Sequence, residues 1–259
     1  MNSEVNRSGR PGAAAALVEQ YLDYLSGERP DPPTLDALDP PDRERANQLI
    51  DFLDRTYGLD SPGAPPVERD RVLDRLDHAA SVFQLHELVR EVPDFPVPGV
   101  LFRDTMQLYS NWYHYSFAAE EMARQFHGAV DQVVGIEARG FVLATLVADR
   151  LKAGLVLFRK KPQLPKLPFR LESQQYETEY EASEMQAQAD ALQDGGRVLV
   201  VDDVVATGGT VSAAAKLVDR LGGKVTGVAC LIELRGFEAR RRMRTIVGDD
   251  SRFISVLRY

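Results

Sequence analysis

One segment near residue 200 constrains the fold of this 259-residue chain more than any other. Residues 197–203, RVLVVDD, place four consecutive apolar residues before two carboxylates. Residues 206–210, ATGGT, then lead into a helical pattern over 210–221. An apolar run that ends in a glycine-rich turn and a helix is typical of a strand buried in a parallel sheet. The segment therefore predicts an α/β fold with polar groups at the carboxyl end of a central strand.

The chain after residue 93 repeats this pattern, because short apolar runs alternate there with segments of helical spacing. Such alternation predicts a Rossmann-like parallel sheet with helices on both faces. The stretch 163–184 is polar and has no core pattern, so we predict a solvated loop that runs into a helix. The predicted strands are 131–138, 154–158, 197–203, 224–234 and 253–259, and 141–151 is a predicted helix.

The first third of the chain has a different composition. Residues 1–90 carry 17 acidic and 10 basic side chains, and every lysine lies after residue 150. We interpret residues 1–66 as an acidic helical extension and linker, 67–90 as a connecting helix and 91–259 as the main domain. Within the extension, 13–26 and 42–56 have helical spacing and 58–66 is rich in proline and glycine. An acidic region without lysine argues against nucleic-acid binding, and a protein partner for residues 1–66 stays open.

The turn after the central strand suits a phosphorylated sugar. Amide groups at a helix N-terminus bind phosphate, and glycines let the backbone approach a ligand closely. Thr207 and Thr210 can add hydroxyl donors. Asp202 and Asp203 cannot favour phosphate, so ribose hydroxyls, directly or through Mg²⁺, are their natural partners. The alternative is a plain strand–turn–helix connection that binds nothing.

This segment resembles the motif with which type I phosphoribosyltransferases bind phosphoribosyl pyrophosphate (PRPP). The family has a Rossmann-like core and a small hood over the base. The resemblance implies that Asp202 and Asp203 hold the ribose hydroxyls and are possible indirect ligands of Mg²⁺. It also implies that the 5′-phosphate is held by Ala206, Thr207, Gly208, Gly209 and Thr210.

Four further segments are similar to the adenine phosphoribosyltransferases of that family, and the similarity extends from about residue 86 to 259. They are VPDFPVPGVLFRD (92–104), VGIEARGF (134–141), FRKK with LP (158–161 and 164–165) and YETEY (176–180). Prolines predict a stiff, extended conformation for PDFPVPG (93–99) within the first of them. By resemblance, Leu101, Phe102 and Arg103 contact adenine.

The same resemblance assigns pyrophosphate and catalysis. Arginine forks suit phosphate oxygens, and both arginines in the second and third segments follow predicted strands. The resemblance implies that Arg139, Arg159 and Lys160 hold pyrophosphate. It implies that Glu179 and Tyr180 are catalytic, on a loop that closes over the site. Two positions depart from the family pattern: Glu181 replaces a glycine and Gln163 replaces a lysine.

We therefore predict an enzyme that forms AMP and pyrophosphate from adenine and PRPP with Mg²⁺, in purine salvage. The resemblance adds a homodimer, and a single cysteine and short apolar runs favour a cytoplasmic protein without a membrane span. Two alternatives stay open. One is a PRPP-sensing regulator without catalysis, although its class predicts a basic recognition helix that residues 1–90 lack. The other is an enzyme for another purine base.

Overall fold

The computed structural model describes residues 81–82, 84–161, 170–177 and 182–259. The predicted helices 13–26 and 42–56 and the linker 58–66 lie outside these residues. So do Gln163, Glu179, Tyr180 and Glu181. Residues Leu88–Tyr259 form one compact unit. The connecting helix predicted to reach residue 90 ends earlier, because the helical residues stop at Glu87 and a strand begins at Arg90.

A two-stranded antiparallel hairpin opens the compact unit, and we call it the hood. It consists of β1 (Arg90–Pro93) and β2 (Leu101–Asp104). The prediction of an extended conformation for the intervening proline-rich segment is wrong. Asp94 and Gly99 both have positive φ, and the Gly99 amide donates to the Asp94 carboxylate at 2.7 Å, so the chain turns back on itself.

The core is a seven-stranded sheet with the order β5-β6-β4-β3-β7-β8-β9. Its strands are β3 (Gln132–Ile136), β4 (Gly154–Lys160), β5 (Leu171–Glu177), β6 (Ala182–Gln188), β7 (Arg197–Val205), β8 (Lys224–Glu233) and β9 (Phe253–Arg258). The five strands β4-β3-β7-β8-β9 are parallel. Every residue of β3 is buried, and so are nearly all of β7. Strands covered on both faces need continuous apolar runs, which explains the pattern in the sequence.

Helices cover both faces of this sheet, as predicted. Among the described residues of the compact unit, the α-helices are α1 (Met106–Tyr109), α2 (Trp112–Ala123), α3 (Gly140–Leu151), α4 (Gly209–Arg220) and α5 (Ala239–Val247). Helices α2 and α3 pack together on one face, and α4 and α5 pack together on the other. The α/β fold with a small hood is therefore confirmed. In the part of the chain that the structure describes, no helix is long and apolar enough to cross a membrane.

The prediction of a loop and helix over 163–184 is wrong for the described residues. They form β5 and β6, which pair with each other and extend the sheet antiparallel to β4. Glutamine and glutamate disfavour strands in isolation, but pairing with an existing sheet overrides that preference. Tyr176, Met185 and Ala187 are buried in the core, which anchors the hairpin to the sheet.

Candidate active site

One cavity of about 280 Å³ lies at the carboxyl ends of β3, β4 and β7, beneath the hood. Three groups of residues line it: the hood with Val100, the ends of β3 and β4, and the β7 segment that runs into α4. The cavity is lined by Val100, Leu101, Phe102, Arg103, Glu137, Arg139, Lys160, Ser183, Asp202, Asp203, the segment 204–211 and Leu234. Almost all the residues predicted from the sequence therefore meet around one space. Arg159 stands just outside the lining, and Glu179 and Tyr180 belong to the undescribed segment between β5 and β6.

The turn 206–210 has the geometry of a phosphate cradle. Gly208 takes a positive φ of 77°, and helix α4 begins at the next residue. The Gly209 amide donates to the Thr207 hydroxyl oxygen at 3.3 Å. A Cβ at Gly208 would lie 2.6 Å from the Met243 Cε atom of α5, so the turn also packs tightly against its neighbour. The amides at the start of a twelve-residue helix favour an anion at this point.

The two carboxylates at the end of β7 are nearly buried, with 6% of Asp202 and 8% of Asp203 exposed. The Asp203 amide donates to Asp202 Oδ1 at 2.9 Å. Burial, and then the negative charge of Asp203, raise the pKa of Asp202 well above its usual value. Gly140 allows this arrangement because a Cβ there would lie only 3.1 Å from Asp202 Oδ1.

Arg139 connects the acidic pair to the hood. Its Nε atom lies 2.5 Å from Asp203 Oδ2, an ion pair without the alignment of a hydrogen bond. Its Nη1 atom donates to the carbonyl oxygen of Arg103 at 3.5 Å, and its Cζ atom lies 5.0 Å from the centre of the Phe102 ring. The guanidinium therefore touches both sides of the cavity.

Contacts on its outer side hold the hood in place. The Arg103 guanidinium pairs with Glu91 across the hairpin and lies 4.3 Å above the centre of the Tyr259 ring. Phe95 and Phe102 meet edge to face, with ring centres 5.1 Å apart. Such stacked cations and rings each stabilise a contact by about 0.5–1.5 kcal/mol. The hood is thus tied both to its own turn and to the residue that follows β9.

Two residues with a place in the site escaped the sequence-based prediction. The Tyr109 hydroxyl is buried, and burial together with the Asp203 charge raises its pKa. Glu137 lines the cavity and accepts hydrogen bonds from Lys160 and Arg159. The sequence carried a weak signal for Glu137, since it directly follows a strand as Arg139 does.

The acidic pair fits a magnesium ion that arrives with a phosphorylated ligand. Mg²⁺ prefers oxygen ligands and is usually held by one or two carboxylates together with substrate phosphates. Across the described residues, no group of three or more His, Cys, Asp and Glu side chains could hold a metal ion by itself. Asp202 and Asp203 could supply the protein's share of such a site, and the ligand would supply the rest.

Comparison with known proteins gives a consistent result. Residues 112–257 match the phosphoribosyl transferase domain family. The adenine phosphoribosyltransferase of Roseiflexus castenholzii is 42% identical over 176 residues, which cover 68% of this chain and 98% of the relative. That of Acidothermus cellulolyticus is 44% identical over 156 residues, which cover 60% of this chain and 86% of the relative.

Solved structures agree in fold. The adenine phosphoribosyltransferase of Rhodothermus marinus aligns with a TM-score of 0.64 and 38% identity, over 70% of this chain and 99% of its own. The Giardia lamblia enzyme, solved in complex with 9-deazaadenine, aligns with a TM-score of 0.63 and 31% identity, over 69% of this chain and 97% of its own. Each similarity covers nearly the whole relative and leaves about 30% of this chain unmatched.

Proposed function

This chain belongs to the adenine phosphoribosyltransferase family of phosphoribosyl transferases, and on that premise we propose that it forms AMP and pyrophosphate from adenine and PRPP. The observation that carries the proposal is the shared cavity. A hood, three strand ends and a helix N-terminus surround one space there. A ligand with a base, a ribose and phosphates would find a chemically suitable partner on each side.

We assign the walls of the cavity by their chemistry. The amides and hydroxyls of 206–210 hold the 5′-phosphate, because a helix N-terminus favours an anion. Asp202 and Asp203 hold the ribose hydroxyls. Arg139 and Lys160 hold the pyrophosphate at the cavity wall, and Arg159 adds charge from just outside it. The hood residues Leu101, Phe102 and Arg103 face the adenine.

The reaction exchanges one bond for another at the anomeric carbon of the ribose. The bond to pyrophosphate oxygen breaks with its electron pair, and the carbon gains oxocarbenium character, as in glycoside chemistry. The adenine N9 lone pair forms the new bond, and the purine loses a proton. We assign that proton to the Glu179 carboxylate, with Tyr180 beside it, on the segment that joins β5 and β6.

Mg²⁺, bound with PRPP, would neutralise charge on the departing pyrophosphate. The protein's own residues complete the electrostatics. Arg139, Arg159 and Lys160 stabilise the charge that develops on the leaving group, and they cost no reorganisation if they are held in place beforehand.

A partly exposed group of apolar side chains supports a homodimer. Leu155 and Leu157 on β4 are 40% and 41% exposed, and Val142 on the packed helix α3 is 48% exposed. We propose that a second copy covers these side chains. Replacing Leu155 and Leu157 with glutamate would then convert the dimer to a monomer in analytical ultracentrifugation. A wild-type chain that sediments as a monomer would refute the proposal.

The remaining proposals concern the cell. A cytoplasmic location agrees with a substrate and product of central nucleotide metabolism. The acidic extension 1–66 is a candidate for binding a protein partner, and it is not needed for the match to the enzyme family. A truncated chain that begins before Arg90 and keeps full activity would separate the extension from catalysis.

The decisive experiment measures AMP formed by the purified chain from adenine, PRPP and Mg²⁺. Guanine and hypoxanthine run in parallel, and Glu179→Ala is the loop variant. We expect AMP from adenine only, with a loss of about a hundredfold or more in the variant. Activity with another base would correct the specificity. PRPP binding without any product would refute the enzyme and leave a PRPP-sensing regulator.

A further inference from the structure

Glu137 places a carboxylate at the wall where the site needs positive charge. It follows β3 and lines the cavity between Arg139 and Lys160. A negative group there repels a pyrophosphate, so its presence requires a compensating benefit. Only 16% of the side chain is exposed, which means that the charge is largely desolvated and must be paired.

Both oxygens of this carboxylate bind the end of β4. Oε2 accepts a hydrogen bond from the Lys160 amide at 2.6 Å, and Oε1 accepts one from Arg159 Nη2 at 3.3 Å. These are the two residues to which we assign the outer pyrophosphate charges. One side chain therefore contacts both of them.

The sheet geometry explains why β4 needs this support. The pairing of β3 with β4 ends at Ile136 and Phe158, and one further bond joins the Glu137 amide to the Phe158 carbonyl at 3.1 Å. Beyond that point β3 has turned away, so the Lys160 amide has no β3 backbone acceptor to pair with. The Glu137 carboxylate takes the place of the missing strand.

Arg159 depends on the same carboxylate. Its Nε atom is buried and has no hydrogen-bond partner within the described residues, and Glu137 provides the ion pair recorded for its guanidinium. A guanidinium held at one end presents its remaining donors in a fixed direction, and a free one must lose rotamer freedom on binding.

From this geometry we propose that Glu137 is a positioning residue, which holds Arg159 and the Lys160 backbone in the orientation that binds pyrophosphate. The inference rests on the proposed function and deepens it. On this proposal Glu137 acts through the two residues that it orients and is not itself a catalytic residue.

Glu184 on β6 offers a matched control, because its partner Lys161 is the residue that follows Lys160. It pairs with Lys161 at 2.9 Å, and 18% of its side chain is exposed, so its burial and bonding resemble those of Glu137. Glu184 does not line the cavity. Removing each charge in turn separates a general effect on the end of β4 from an effect on the ligand.

The test compares Glu137→Ala, Glu137→Gln and Glu184→Gln in the full chain. Calorimetry measures the binding of Mg²⁺-pyrophosphate, and kinetics give KM for PRPP and for adenine. We expect Glu137→Ala to weaken the binding of pyrophosphate about tenfold, equal to about 1.4 kcal/mol, and to raise KM for PRPP by a similar factor. KM for adenine should stay within about twofold of wild type. Glu137→Gln keeps an acceptor for the Lys160 amide and loses the ion pair with Arg159, so we expect pyrophosphate binding to weaken about threefold. Glu184→Gln stays within about twofold of wild type.

Three outcomes would overturn the inference. Both Glu137 variants could bind pyrophosphate as wild type does, Glu184→Gln could weaken it equally, or KM for adenine could rise as much as KM for PRPP. If Glu137→Ala fails to fold, Glu137→Gln carries the test alone. A wild-type chain that binds pyrophosphate but forms no AMP would end the proposed function and leave the binding comparison intact.

Discussion

Gly208 allows the phosphate turn to be tested separately from the stability of the fold. Replacing it with alanine has two costs that follow from its position. An L-residue with a φ near 77° is less stable by about 1–2 kcal/mol. The new Cβ would also lie 2.6 Å from Met243 Cε, and Met243 is fully buried, so its side chain must leave its rotamer at about 0.5–1.5 kcal/mol.

Gly248→Ala is the matched control. Gly248 ends α5 with a φ of 78°, and nothing lies within 4 Å of the Cβ that alanine would add. Gly248→Ala therefore has the free-energy cost of a positive φ but no steric clash, and Gly248 does not line the cavity. Urea unfolding followed by circular dichroism should show a loss of about 1–2 kcal/mol for Gly248→Ala and of about 2–3 kcal/mol for Gly208→Ala.

The binding data separate the two variants further. We expect KM for PRPP to rise at least about tenfold in Gly208→Ala, because the turn must shift to accommodate the methyl group, and to stay unchanged in Gly248→Ala. The reasoning is refuted if Gly208→Ala is no less stable than Gly248→Ala and binds PRPP as tightly as wild type.

Three further predictions follow from single contacts. The folded-state pKa of Asp202 is raised, so its favourable contribution is present below pH 3.8 and is lost as the pH rises through the folded value. Asp202→Asn should therefore gain stability relative to wild type as the pH rises above 3.8, and urea midpoints that shift in parallel would contradict this. Asp131 has the opposite sign, because hydrogen bonds from the Arg197 side chain lower its pKa to about 2. The stability advantage of wild type over Asp131→Asn should persist above pH 4 and shrink as the pH falls towards 2. Urea unfolding at pH 5, 3 and 2 measures this advantage, and an advantage that stays constant would contradict the prediction. Tyr259→Ala removes the ring under Arg103 and should raise KM for adenine about threefold with KM for PRPP unchanged, whereas Tyr259→Phe keeps the ring and should behave as wild type; equal effects of the two variants on KM for adenine would contradict a role for the ring.

The central sheet was predictable because its strands are buried on both faces. The apolar runs at 131–138 and 197–203 mark β3 and β7, and the structure moves their ends by only one or two residues. Polar residues at the carboxyl ends of such strands must meet at one edge of the sheet, so the sequence alone groups Arg139, Asp202 and Asp203. Their proposed roles in binding remain predictions.

The β5–β6 hairpin and the hood turn were not predictable, because their conformations depend on tertiary contacts. β5 and β6 are rich in glutamine and glutamate and form strands because β4 offers them an unpaired edge. The hood turn depends on a hydrogen bond between Asp94 and Gly99, which no periodicity reveals. Glu137 was not predicted because its charge is useful only through tertiary contacts: the Arg159 guanidinium and the Lys160 backbone amide of β4 lie against it.

The strand order explains how residues far apart in the chain share one cavity. Because β3 lies between β4 and β7, the end of β3 can pair with partners on both sides. Glu137 bonds to the end of β4, while Arg139, two residues later, pairs with Asp203 at the end of β7. Successive side chains of a strand point to opposite faces, so the adjacent acids have different neighbours although both line the cavity. Asp202 lies under the start of α3, and Asp203 turns toward Arg139 and the hood. A one-residue slip of β7 that placed Val204 at the position of Asp203 would leave Arg139 without its carboxylate partner.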